Sequence, residues 1–157
     1  MSANWGHHIE LSLFGESHGK AIGITIGHLP AGIKLDIDAI TKDMQRRAPG
    51  KNLMSTQRKE ADEVEILSGV LDGYTTGAPL CGIIKNTSQH SKDYSYLKDN
   101  MRPGHSDYPA YIKYKGFNDV RGGGHFSGRL TAPIVFAGAI AKKKVFMSAH
   151  IFFLLKM

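Results

Sequence analysis

Three short segments of this 157-residue chain hold residue types that could do chemistry. The first, Gly15-Glu16-Ser17-His18-Gly19-Lys20, sets a serine beside a histidine in a glycine-flanked turn. Adjacent residues seldom reach the geometry in which an imidazole activates a hydroxyl. His18 therefore makes better sense as a lone acid or base, because an imidazole titrates near a pKa of about 6.5. The plainer reading is a histidine on a surface turn. The second segment, Arg102-Pro103-Gly104-His105-Ser106-Asp107, fixes a turn with proline and glycine. His105 projects from it and Asp107 could orient the imidazole; an ordinary stabilised turn would read the same way. The third, Gly122-Gly123-Gly124-His125-Phe126-Ser127-Gly128-Arg129, feeds a helical stretch. Consecutive glycines let backbone N–H groups approach an anion, and a helix N-terminus adds positive potential. Arg121 and Arg129 bracket the run and Ser127 adds a hydroxyl. It matches neither a Walker A loop nor the dinucleotide fingerprint, and a flexible glycine loop is the bland alternative.

The elements that must position these segments are legible from periodicity. Residues 8–14 alternate, with Ile9, Leu11 and Leu13 on one face, and residues 21–27 repeat the pattern with Ile22, Ile24 and Ile26. Both read as strands. The alternation would send His7 and His8 to opposite faces. Asp36 reads as a helix N-cap before the apolar stripe Ile37, Ile40 and Met44, with Arg46 and Arg47 in the last turn and Pro49-Gly50 as the stop. Residues 63–71 and 79–85 read as two further strands around the turn Asp72-Gly73-Tyr74. From Asn86 to Pro109 the chain is polar and aromatic without a period, which predicts a long functional loop. A short helix is expected over 110–115. A second is expected over 132–144, capped by Thr131, ending at Lys142-Lys143-Lys144 and buried nearly all round.

Composition narrows the function classes. Lys and Arg outnumber Asp and Glu 20 to 14, a net charge of +6 that suits an anionic partner. The basic residues are dispersed, with no zinc-finger spacing and no aromatic RNA-binding signature. A small anionic substrate is thus favoured over nucleic acid, and a basic nucleic-acid-binding module is the weaker rival. Cys81 is the single cysteine and reads as a small buried hydrophobe, so a disulfide framework is excluded. No pair of the eight histidines stands at helical metal-ligand spacing, so no metal site is expected. With neither a signal core nor a membrane-length apolar run, a soluble, cytoplasmic protein without a membrane partner is expected. Eighteen glycines are an excess for this length, and they cluster beside histidines and arginines.

Five stretches in register carry a resemblance: Phe14-Gly15-Glu16-Ser17-His18-Gly19, Arg46-Arg47-Ala48-Pro49-Gly50, Ile66-Leu67-Ser68-Gly69, Arg102-Pro103-Gly104-His105-Ser106-Asp107-Tyr108 and Asp119-Val120-Arg121-Gly122-Gly123-Gly124. Together they resemble the chorismate synthase family from about residue 4 to about residue 144. The resemblance implies an α+β fold, a sandwich of helices and antiparallel strands, and assembly as a homotetramer. It implies a shikimate-pathway lyase that converts 5-enolpyruvylshikimate 3-phosphate to chorismate and phosphate by 1,4-anti elimination. It also implies reduced FMN (FMNH2) as cofactor, with NADPH a candidate reductant. His18 and His105 match the family's catalytic histidines, the first proposed to protonate the departing phosphate and the second placed near the flavin. Arg47 and Arg129 match arginines assigned to anionic ligands, and His125, Phe126 and Ser127 fall in a flavin-contacting segment. Many members read Arg-Ser-Ser there, so His125 and Phe126 are departures, as is Leu53 at a second basic position. Members run to more than twice this length. The expectation is one partial domain over 1–157, family-like to about 144 and followed by a divergent tail over 145–157, as a deletion, a frameshift or a misassembled gene would leave. The rival reading is a catalytically inactive remnant that at most binds an anion.

Overall fold

A computed structural model describes residues 3–48, 62–87 and 91–154. Five antiparallel strands form the main sheet: β1 (Asn4–Trp5), β2 (Glu10–Gly15), β3 (Ala21–Gly27), β4 (Glu65–Ser68) and β7 (Leu80–Lys85), in the order β1-β2-β3-β7-β4. The alternation in β3 sets the core. Ile22, Ile24 and Ile26 are buried and pair in register with Ile84, Gly82 and Leu80 of β7. A side chain at Gly82 would collide with Phe136, so this glycine is where a helix ring is admitted onto the sheet.

That ring belongs to α3 (Thr131–Leu154), which packs on β3 and β7 and against α1 (Ile37–Arg47). Asp36 caps α1 through Ala39 N–H, and Ile40 and Met44 bury the stripe expected of it. The helix ends at Arg47, with Ala48 as its C-cap. Pro49-Gly50 lie outside the described residues. The arrangement is α+β with antiparallel strands, as expected.

Several boundaries differ from the sequence reading, each for a local reason. His7 and His8 precede β2 in a bend, because Gly6 (φ +100°) turns the chain so tightly that a side chain there would strike the Ile9 carbonyl. The two histidines therefore do not sit on opposite faces of a strand. The expected strand 63–71 breaks at Gly69 (φ +83°), where the backbone passes against Leu80, just after the β4–β7 register shifts between Ile66 and Ser68. Beyond the break, β5 (Val70–Leu71) and β6 (Tyr74–Thr75) form a separate hairpin closed by Asp72 and Gly73, both left-handed. Tyr74 is thus a strand residue, not part of the turn. The segment expected as one long loop holds 3-10 turns over Ser91–Lys98, and α2 (Asp107–Tyr114) starts three residues before the expected Ala110.

The α3 helix does not stop at the lysine run, since no glycine or proline follows to break it before Leu154. Nor is it buried all round. Ala132, Pro133, Phe136, Ala137 and Ile140 face the core, while Ile134 and Gly138 are exposed. Cys81 is half-buried in β7.

Candidate functional site

The turn after β2 and the glycine run before α3 meet face to face. Ser17 N–H donates to the Gly124 carbonyl over 3.1 Å, and Ser17 Oγ donates to the carbonyls of Arg121 and Gly122, each at 3.2 Å. Ser17 is wholly buried in these contacts, so it is a clasp and not an activated nucleophile. His18, 4% exposed, is held in the same turn and meets Tyr94 edge-on with ring centroids 4.9 Å apart. Gly122, Gly123 and Gly124 all adopt left-handed φ (58°, 88° and 54°), which side chains rarely tolerate. The reason is visible at each position. A Cβ on Gly122 would collide with the His18 ring; one on Gly123 would sit 2.9 Å from His105 Cε1 and 3.0 Å from its Nε2. One on Gly124 would strike the Asp119 carbonyl. Two imidazoles distant in sequence thus rest on consecutive residues, whose Cα atoms lie about 3.8 Å apart.

His105 has its orientation fixed from the other side. Its Nδ1 lies 2.6 Å from Asp107 Oδ1, a contact that assigns the ring proton to Nδ1 and leaves Nε2 toward Gly123. Arg102 grips the same carboxylate, with Nε on Oδ2 at 2.8 Å and Nη2 on Oδ1 at 3.0 Å. These bonds from Arg102 hold the Asp107 carboxyl far below the usual carboxylate range, against the burial that would raise it. Asp107 is also the first residue of α2, where a negative charge complements the helix end. A similar clamp joins Arg121 to Asp119 at 2.9 and 2.7 Å. Hydrogen bonds from Arg121 lower the Asp119 carboxyl, and the charge of His18 adds to the effect.

Arg47 and Arg129 also come together, though not around open space. Both reach Asp62, whose side chain is completely buried: Arg47 Nη1 on Oδ2 at 2.5 Å, and Arg129 Nη1 on Oδ1. Nothing local in the sequence singles out Asp62. It sits in the run Glu60-Ala61-Asp62-Glu63, at the edge of the expected strand 63–71. Asn86 carries no local signal either. Its Nδ2 donates to the carbonyls of Glu16 and Gly19, and its Oδ1 accepts from Arg129 Nε at 3.4 Å, so it ties the His18 turn to the arginine cluster.

The segment 125–127 is engaged internally. His125 Nδ1 bonds the Gly15 carbonyl at 2.8 Å, Phe126 packs 6.3 Å from the Tyr114 ring, and Ser127 Oγ accepts from Arg129 N–H. His125 and Phe126 nevertheless line a cleft of about 350 Å³ with Glu16, Asn118, Asp119 and the fully protruding Phe117. Leu53 lies outside the described residues. Among the described residues no helix is long and apolar enough to cross a membrane.

A family profile described as chorismate synthase matches residues 9–152. A chorismate synthase of Albidiferax ferrireducens is 54% identical over 147 residues, covering 93% of this chain and 40% of its own length. One from Thermococcus kodakarensis is 51% identical over 138 residues, covering 88% of this chain and 39% of its own. A crystal structure of chorismate synthase superposes with a TM-score of 0.60 at 31% identity, covering 92% of this chain and 35% of that one. The chain therefore spans about 40% of the length of the curated relatives it matches.

Proposed function

The chain belongs to the chorismate synthase family, and from that premise we propose that it carries the proton-handling and anion-binding part of a lyase site. The reaction is the 1,4-anti elimination of phosphate from 5-enolpyruvylshikimate 3-phosphate: a ring C–H bond breaks with loss of its proton, the ester C–O bond breaks, the existing ring C=C shifts to give a conjugated diene, and phosphate departs. The observation that carries the reading is the seating of His18 and His105 on the adjacent Gly122 and Gly123. That seating brings two titratable rings from distant segments onto one stretch of backbone.

Their surroundings differ in a way that suits two roles. His18 is buried in a polar turn and is assigned the proton given to the leaving phosphate. His105 has one nitrogen fixed by Asp107 and the other free of that bond, which suits it to hold charge on a neighbouring group. Arg47 and Arg129 are assigned to the substrate's phosphate and carboxylates, for which guanidinium forks are well matched.

Reduced FMN fits the residues present. Gly123 lets the His105 ring lie directly on the backbone, beside the run that leads to His125 and Phe126. The nearby cleft offers the Phe126 ring and the buried acceptor Asn118 Oδ1, which has no hydrogen-bond partner among the described residues. When bound, the flavin would supply transient electron donation in a reaction that is redox-neutral overall. His105 would hold it, together with the segment His125-Phe126-Ser127, and NADPH is a candidate reductant. Assembly as a homotetramer and a cytoplasmic setting belong to the same reading.

A second reading, binding of an anion without turnover, uses the same arginines. One assay separates the two. The folded chain, checked by circular dichroism, is incubated anaerobically with reduced FMN and the enolpyruvyl substrate, and phosphate release is followed. Release above a protein-free background supports the lyase. Its absence, with substrate still bound, supports the second reading.

A further inference from the structure

We propose that Asp62 is the positioning residue for both anion-binding arginines: one buried carboxylate that brings Arg47 and Arg129 together and orients their guanidinium planes. The proposal rests on the anion-binding reading above for its functional meaning, and on the geometry alone for its structural one.

Arg47 is the last residue of α1, and Arg129 lies in a 3-10 turn before α3. Two guanidinium groups from separate elements repel one another when they converge away from water. They converge here because the carboxylate gives each a different oxygen, Oδ2 to Arg47 and Oδ1 to Arg129. Each guanidinium is pinned to its oxygen through one nitrogen, Nη1; because the group is planar and rigid, a second contact, Arg129 Nε on Asn86 Oδ1 and Arg47 Nη2 on Gly128 O, then fixes its plane.

Charge accounting agrees. Two cations and one anion leave the cluster with one net positive charge, enough to attract an anion without leaving two unpaired cations buried. The attraction is directed through Arg47. Its side chain is 20% exposed against 5% for Arg129, and its Nη2 has only long bonds, 3.4 Å each, to Gly128 O and Thr131 Oγ1. Both Nη2 hydrogens are held only by these long bonds, so this is the edge an incoming anion can take over. Asp62 is itself held in a left-handed conformation (φ +50°), which aspartate accepts more readily than most residues.

The test is heteronuclear NMR of the full chain, reading the Nε–Hε signals of the two arginines, assigned through Arg47→Lys and Arg129→Lys. Asp62→Asn keeps the shape and removes the charge. It is expected to shift both signals and to weaken the response to added inorganic phosphate about tenfold. Asp62→Glu is expected to recover part of that response, which a packing role would not allow because the added methylene fits worse than asparagine does. Should Asp62→Asn fail to fold, Arg129→Lys decides: the carboxylate relaxes toward its remaining strong partner, so the Arg47 signal is expected to move. Unchanged arginine signals in Asp62→Asn, or a still Arg47 signal in Arg129→Lys, would overturn the proposal. Arginine signals coupled through Asp62 in a chain that ignores millimolar phosphate would leave the positioning role standing and remove the anion-binding reading instead.

Discussion

The two ends of the site are built by opposite means. At the imidazole end, His18 and His105 are placed by what is missing: a side chain at Gly122 or Gly123 would occupy their seats. At the guanidinium end, Arg47 and Arg129 are placed by what is present, the buried carboxylate of Asp62. A steric seat holds a titratable ring by shape, through the glycine backbone beneath it. A charge seat fixes the geometry of groups that never titrate. The difference matches the work proposed for each end, since proton transfer needs a group that changes state and anion binding needs one that does not.

The strongest way to break this comparison is at the histidines. His18→Ala and His105→Ala are each expected to reduce phosphate release by about 10²- to 10⁴-fold, the usual range for a lost general acid or charge-holding group. Melting temperatures should fall modestly, more for the buried His18 than for His105, since neither ring belongs to the main apolar core. Near-full activity in either variant would remove that histidine's role.

A smaller effect sharpens the line between the ends. Asp107 fixes His105, so the imidazole end has one charge seat of its own. Its carboxyl titrates below the unfolded value of about 3.9, so the stabilisation is complete above that pH and is lost as the pH falls toward the folded value. Asp107→Asn is therefore expected to lower the melting temperature at neutral pH and to flatten its decline between about pH 4 and pH 2. Parallel acid limbs in variant and wild type would contradict this.

The smallest effect is a control. Arg46 neighbours Arg47 in sequence, but its side chain is 74% exposed and pairs with Asp43 on the surface. Arg46→Ala is expected to leave both melting temperature and phosphate binding within experimental scatter, as exposed pairs usually do. A loss matching that of Arg47→Ala would mean that net charge, not the Asp62 seat, governs anion binding.

Local pattern makes much of the scaffold readable. The alternation of Ile22, Ile24 and Ile26, the Asp36 cap and the Asp107–His105 contact are all legible, because each depends on residues near one another in the chain. What escapes depends on distant partners. Asp62 carries no local pattern and is buried under two arginines that arrive from elsewhere in the chain. Gly69 ends a strand because Leu80 lies against it, which no period in residues 63–71 reveals. Backbone freedom marks the glycine run as an anion cradle in the sequence. Its conformation does use that freedom, and the closest neighbours of Gly122 and Gly123 are imidazoles.

One measurement tests the paired seats directly: imidazole NMR signals of the wild-type chain and of Gly122→Ala, Gly123→Ala and Gly128→Ala. A methyl group on Gly128 would meet nothing within 4 Å, and the backbone there is permissive, so its variant reports the effect of substitution alone. Gly122→Ala should shift the His18 signals and spare His105, Gly123→Ala should do the reverse, and Gly128→Ala should move neither. Equal shifts at both histidines in either variant, or none, would contradict the account.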